Sequence, residues 1–289
     1  MMAVRAHAAD ALTGESPLWD AARGVLWWVD VQGQRLLGHR IAGGGPISIP
    51  LPSMPGLVCH ADDGRLVVGL EDGLWLLAPE SRDLALLQAV EADDHRTRLN
   101  DGKPDARGRL WFGTMDKTGG GAPIGSFYCL TPDRQLHVVR GGVAVPNAIA
   151  VSPDGGTLYF ADSRTRRIER FALDPATGAP GRAATFAIFP EGQHPDGASV
   201  DREGGLWVAV VGSGRLVRLL PGGREATSIA LPVTRPTMAA FGGADLRTLF
   251  VTSQRRFLDA QELREQPEAG HLLSLPAPVA GLPPARVPV

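Results

Sequence analysis

Arg98-Leu99-Asn100-Asp101-Gly102-Lys103-Pro104-Asp105-Ala106-Arg107-Gly108-Arg109-Leu110-Trp111-Phe112-Gly113-Thr114 reads in two halves. The second half, Asp-x-x-Gly-Arg before an apolar run, reads as a tight turn feeding a buried strand. Asp hydrogen-bonds the turn through its side chain, Gly supplies positive φ, and the apolar run packs. The first half sets Arg98, Asn100, Asp101 and Lys103 close together just ahead of that strand. That is an unfavourable place for polar groups unless they line a cavity. The turn-and-strand half recurs along the chain; the polar half does not recur in that form.

Aligned on the turn, the copies begin at Asp20, Asp62, Asp105, Ser152, Asp201 and Gly242, and each runs into strand-like residues such as Val25-Leu26-Trp27-Trp28 or Leu206-Trp207-Val208-Ala209. They fall about 40 to 48 residues apart, the length of one four-stranded propeller blade. A second strand-like run follows several of them, for example Gly73-Leu74-Trp75-Leu76-Leu77 and Ile168-Glu169-Arg170-Phe171. Helical periodicity is scarce, and Leu258 to Gln266 is its best stretch. Six such units predict an all-β fold, a six-bladed β-propeller closed so that no long sheet edge stays free, with a central metal site. The stretch Glu268 to Leu275 is expected to supply the last strands, and the first residues to complete the same blade and latch the ring. Residues 1–289 then form one domain without a linker.

Composition fits this reading. Of 289 residues, 44% are hydrophobic and 21% charged, and 36 glycines with 24 prolines, spread throughout, suit many turns. A net charge of -2 offers no basic footprint for nucleic acid and no polybasic patch for a membrane. Residues 1–10 carry no apolar run of signal-peptide length, and no later segment reaches that of a membrane span. Cys59 and Cys129 sit in strand-like runs without metal-like spacing and read as buried free thiols. The expectation is a cytoplasmic protein, monomeric as a closed propeller, binding neither nucleic acid nor membrane.

Four polar residues precede the turns in matching registers: Glu15 in Gly14-Glu15-Ser16-Pro17, Asn100, Asn147 in Pro146-Asn147-Ala148, and Asp196 in Pro195-Asp196-Gly197. Taken singly, an Asp or Asn beside Gly or Pro is a turn former. Taken together, they place oxygen donors just ahead of the innermost strands of four blades, at one mouth of the channel. An all-oxygen set suits a hard divalent cation. Coordination left incomplete by protein leaves places for water and substrate. The six tryptophans read as core. A Gly-x-Ser-x-Gly elbow, a His-x-x-x-His pair and a phosphate loop are all missing from the sequence.

On these residues, together with Arg98 to Lys103, Ser152-Pro153-Asp154-Gly155, Phe241-Gly242-Gly243 and Gln266-Pro267-Glu268-Ala269-Gly270, the chain resembles the gluconolactonase/senescence-marker-protein-30 family of six-bladed propellers over nearly its whole length. The resemblance implies a metal-dependent lactonase. One divalent ion (calcium, magnesium, manganese, zinc or ferrous iron) would be held by Glu15, Asn147 and Asp196, with Asp196 activating water. Arg98 and Asn100 would bind a sugar lactone, gluconolactone or a pentonolactone such as xylonolactone. Two alternatives stay open: a metal-dependent phosphoesterase of the same fold, and a non-catalytic calcium-binding propeller. His194 reads either as a base behind the ligands or as an imidazole lining the channel. Lys103 reads as a solvated cation or as a partner of a developing oxyanion, and Asp101 as orienting Arg98 or Lys103. The chain departs from the family pattern at His194 and in the loop after Met115, where Asp116, Lys117, Thr118 and a glycine run stand.

Overall fold

The computed structural model describes residues 2–289, so Met1, the first of the residues read for a leader, lies outside it. Strand β1 (Val4–His7) opens the chain. Blade 1 holds β2 (Gly14–Asp20), β3 (Val25–Asp30), β4 (Arg35–Arg40) and β5 (Ile47–Pro50). Blade 2 holds β6 (Leu57–Ala61), β7 (Leu66–Gly69), β8 (Gly73–Leu77) and β9 (Leu84–Ala89). Blade 3 holds β10 (Thr97–Pro104), β11 (Leu110–Asp116), β12 (Gly125–Leu130) and β13 (Leu136–Val143). Blade 4 holds β14 (Pro146–Val151), β15 (Thr157–Asp162), β16 (Arg167–Ala172) and β17 (Ala184–Ile188). Blade 5 holds β18 (His194–Val200), β19 (Leu206–Val211), β20 (Arg215–Leu219) and β21 (Glu225–Ala230). Blade 6 takes β22 (Pro236–Gly242), β23 (Thr248–Ser253) and β24 (Leu272–Pro276), and β1 returns to complete it beside β24. The ring is therefore latched as its sequence implies, and Arg5 on β1 adds a two-bonded ion pair to Glu268.

Each blade is an antiparallel meander whose first strand lines the channel, and the first strands of successive blades touch around the ring. The turn glycines Gly24, Gly64, Gly108, Gly155, Gly204 and Gly243 all have φ between 63° and 92°, which a Cβ would resist. The repeat is thus a conformational requirement as well as a pattern. Six apolar clusters fill the six seams between neighbouring blades: Trp27 and Val58 pack between blades 1 and 2, Phe112 and Leu57 between 2 and 3. Trp111 and Phe160 fill the next seam, Tyr159 and Val208 the one between blades 4 and 5, Trp207 and Leu249 the fifth, and Trp28 and Phe250 the sixth. Burial of these aromatic and aliphatic side chains drives closure of the ring. Cys59 and Cys129 are buried free thiols, pushed up to about 12 by that burial.

One helix, α1 (Ala260–Glu265), falls inside the expected Leu258 to Gln266 stretch and starts on an Asp259–Glu262 capping box. Among the described residues no helix is long and apolar enough to cross a membrane. The segment after β24 has no counterpart in the repeat. It leaves blade 6, bridges to Asp201 of blade 5 through Gly281, and adds β25 (Arg286–Val287) parallel to β6 of blade 2. Between these anchors Leu282, Pro283, Pro284 and Ala285 help to enclose a cavity of about 190 Å³ at the end of the channel where the Asp-x-x-Gly turns lie.

Candidate metal centre

The polar quartet lies inside the innermost strands, where the sequence had placed it just ahead of them. In blades 1, 3, 4 and 5 the pairing of the first strand with the second slips once, between Glu15 and Leu18, Leu99 and Gly102, Asn147 and Ala150, and Pro195 and Ala198. Such a bulge inserts a residue and re-aims its side chain while the strand continues. The corresponding stretch of β6 in blade 2 pairs without a slip and carries none of these residues. In blades 1 and 4 the residue after the polar one takes a left-handed backbone, Ser16 at φ 50° and Ala148 at φ 51°. A side chain there is strained by about 1 kcal/mol, which the surroundings must offset.

Ties to the next blade hold the bulges. Ser16 Oγ accepts the Val58 N–H of blade 2 at 2.9 Å. Asp101 Oδ2 accepts the Ile149 N–H of blade 4 at 3.1 Å, and Thr237 Oγ1 of blade 6 donates to the Gly14 carbonyl at 2.5 Å. Asp101 is therefore bonded to a neighbouring strand, and among the described residues no hydrogen bond joins it to Arg98 or Lys103. Its other oxygen, Oδ1, is buried without a partner. Lys103 lies among the residues enclosing the channel cavity, with Nζ 3.6 Å from Met238 Sδ, instead of on a solvated face.

A hydrogen-bonded chain joins blades 3, 4 and 5. Arg98 Nη1 donates to Asn100 Oδ1 at 2.9 Å and to the Leu99 carbonyl at 2.8 Å. Asn100 Nδ2 donates to Asn147 Oδ1 at 3.2 Å and to the Pro146 carbonyl at 2.9 Å. Asn147 Nδ2 donates to Ser163 Oγ at 2.9 Å, and that hydroxyl donates to the Pro195 carbonyl, 2.6 Å away and next to Asp196. His194 Nδ1 lies 3.0 Å from the Ser163 carbonyl; because a carbonyl only accepts, Nδ1 carries a proton and Nε2 is left for other partners. Ser163, which orients Asn147, was not marked in the sequence. It sits in a short 3₁₀ turn (Ser163–Thr165) capped by Asp162, whose carboxylate also accepts the Ala144 and Val145 N–H groups. The Tyr159-Phe160-Ala161-Asp162-Ser163 run, a polar pair at the end of a repeat strand, was the available signal. Asp116, in the divergent loop, spends one oxygen on the Thr118 N–H and hydroxyl.

The electrostatics set these residues apart from the rest of the protein. Burial pushes Glu15 well above the usual carboxylate range, and Asp196 and Asp101 push it further. Burial and Asp101 raise Asp196 likewise, and burial raises Asp101 to about 6 although Lys103 opposes it. Arg98, 7% exposed, is lowered to about 10 by burial. Three carboxyl groups thus crowd a desolvated channel, an arrangement that is stable only when protonated or when a cation joins them. Among the described residues no three His, Cys, Asp or Glu side chains gather on a single point. The donor set is two carboxylates and the Asn147 amide oxygen, with the orphaned Asp101 Oδ1 nearby. That chemistry fits a hard divalent ion, with room for ligands from solvent or substrate.

The fold and this channel define a class: six-bladed propellers with an oxygen-lined mouth built on bulged inner strands. Residues 13–255 match the SMP-30/Gluconolactonase/LRE-like region, and the chain belongs to that family. It is 34% identical to a 6-deoxy-6-sulfogluconolactonase of Pseudomonas putida, covering 94% of this chain and 93% of that one. It is 33% identical to regucalcin of Oryctolagus cuniculus, again over 94% and 93%. The crystal structure of regucalcin from Agrobacterium tumefaciens, described as a calcium-binding protein, superposes with a TM-score of 0.92 at 30% identity, over 99% of this chain and 98% of that one.

Proposed function

We propose that this protein, acting as one domain, is a metal-dependent sugar lactonase that opens an aldonolactone, a hexonolactone or a pentonolactone, to the aldonic acid. The observation that carries this reading is the hydrogen-bonded chain from Arg98 through Asn100 and Asn147 to Ser163 and the Pro195 carbonyl beside Asp196, together with the charge coupling of Asp196 to Glu15. Relatives named for lactonase activity support it.

Glu15, Asn147 and Asp196 would hold the ion. When bound, a divalent cation supplies positive charge that keeps both carboxylates ionised and polarises a carbonyl. Asp196, which a neighbouring cation would keep ionised, accepts the proton of the attacking water. Arg98 donates to the substrate and Asn100 accepts from a ring hydroxyl through Oδ1, and the two fix the lactone's orientation. The Asn147–Ser163 bond fixes which edge of the amide is the oxygen, and that oxygen lies beside Asn100 Nδ2. Asp101 and Lys103 lie behind these groups and set the local potential.

The test is lactone hydrolysis followed with a pH indicator on metal-stripped protein. Calcium, magnesium, manganese, zinc and ferrous ions are restored one at a time, against five- and six-carbon lactones and one phosphotriester. Metal-restored lactone turnover above the spontaneous rate is expected. Turnover of the phosphotriester alone would reassign the site to phosphoester chemistry. No turnover with an ion bound would make the protein a binding propeller.

A further inference from the structure

We propose that the channel mouth carries an oxyanion subsite, with Arg98 on its floor and Arg256 at its lip. It would receive a carboxylate, phosphate or sulfonate borne by the substrate on the carbon farthest from the lactone carbonyl. This rests on the lactonase reading and narrows its substrate to acidic lactones.

Arg98 is buried, its Nη1 is spent within the protein, and its Nε has no partner at all. The acids closest in charge to it are Glu15, Glu71 and Asp116, and none forms an ion pair with it among the described residues. Glu71 is taken by Lys117 at 3.0 Å, Asp116 is bonded to Thr118, and Glu15 accepts the Ser16 N–H.

Arg256 stands in the long loop between β23 and β24 of blade 6. Its Nη1 reaches to 3.9 Å from where a Cβ on Gly119 would sit, and Gly119 belongs to the loop after β11 of blade 3. Blades 3 and 6 face each other across a ring of six, so this arginine spans the mouth. Met115, just before that loop, pairs with Arg98 itself, which puts the two guanidinium groups at the same end of the channel. Arg98 is held lower still by the charge of Arg256, as expected for close like charges. The blade 3 loop is steadied from blade 4, where Arg164 donates to the Gly120 carbonyl at 3.2 Å.

A second guanidinium shares the aromatic ring on which Arg256 rests. Arg235 and Arg256 lie over the same Phe257 ring, at 5.3 and 5.0 Å. Neither forms an ion pair among the described residues. Arg98 and Arg256 oppose each other's charge and neither is ion-paired among the described residues, so an arriving oxyanion can accept charge-assisted hydrogen bonds that no protein carboxylate takes. A neutral hydroxymethyl group at the same place brings no charge to them.

The experiment compares kcat/KM for three lactones, with the metal that supports turnover present: gluconolactone, the same ring bearing a terminal phosphate, and glucarolactone bearing a terminal carboxylate. Wild type, Arg256→Gln and Arg256→Lys are assayed, and 6-phosphogluconate and gluconate are titrated calorimetrically into each. Wild type is expected to favour both acidic lactones by about tenfold or more, as one charge-assisted contact allows. Arg256→Gln should lose most of that ratio and most of the excess affinity for 6-phosphogluconate, with Arg256→Lys in between. Preference for one acidic lactone alone would identify which oxyanion the subsite takes. Equal use of neutral and acidic lactones by wild type, or an unchanged ratio in Arg256→Gln, would overturn the subsite and leave the lactonase standing. If no lactone is turned over, the lactonase reading fails, and equal affinity for the two open acids would then remove the subsite too.

Discussion

The two ends of the innermost strands both carry buried aspartates, and they treat them in opposite ways. At the turn end, Asp201 accepts from the Glu203 and Gly205 N–H groups, from Trp207 Nε1 at 2.9 Å and from Arg218 Nε at 2.6 Å. Asp105 does the same with Arg107, Arg109 and Trp111, and Asp20 with Arg23 and Trp27. At the mouth end, Asp196 and Glu15 have neighbouring carboxylates and, among the described residues, no bonded arginine, and Asp101 leaves an oxygen bare. A charge whose partners are all protein groups holds the fold together. A charge left short of partners awaits something from solution.

The contrast is broken most severely by Asp196→Ala. Turnover should fall about a thousandfold or more, the scale of losing a directly acting group. Metal-free thermal stability should not drop, because a repelled carboxylate has been removed. Steady-state kinetics and thermal unfolding on the same preparation check both halves, and retained turnover would exclude Asp196 as the base.

Asp201→Ala should do the reverse. Losing a buried, fully bonded partner of Arg218 costs about 3 to 5 kcal/mol. Urea or thermal unfolding would register it, while kcat per folded molecule stays within about twofold. An unchanged stability would mean that the lower clusters are not the structural ties described above.

Arg98→Ala should raise KM by about tenfold with a smaller change in kcat, since it removes substrate contacts and not the proton acceptor. Progress curves over a range of lactone concentrations separate the two constants.

The smallest effect is on the pH dependence of metal-stripped protein. Asp101 titrates at about 6 in the folded state, above its unfolded value near 3.8. Between those values the folded protein holds a proton that the unfolded chain has released, so this group's contribution to stability falls as pH rises. Asp101→Asn lacks that loss. Its melting temperature, relative to wild type, should climb from pH 4 to 6 and level off above; a flat difference would show Asp101 to be an ordinary carboxylate.

Much of the fold was legible because each blade repeats the same local demand, a positive-φ glycine after an aspartate and an apolar strand beyond it. That Glu15, Asn147 and Asp196 lie near one end of the channel was legible because they recur in register. Their position within the strands was not, since a bulge is set by pairing and by ties such as Ser16 to Val58 that join distant blades. Ser163 and Arg256 were missed for a related reason: each reaches the mouth only after ring closure brings its loop there. The crossing segment around Leu282 to Val287 has neither strand nor helix period, and its proline-rich sequence takes its path from the blades it bridges.

Calorimetric titration of metal-stripped protein with calcium and manganese tests the central claim most directly. Wild type should bind one equivalent, Glu15→Gln and Asp196→Asn should bind it far more weakly, and Asp201→Ala should bind it as wild type does. Undiminished binding by Glu15→Gln and Asp196→Asn would show that the underpartnered carboxylates do not hold an ion, and the account of the mouth would fall.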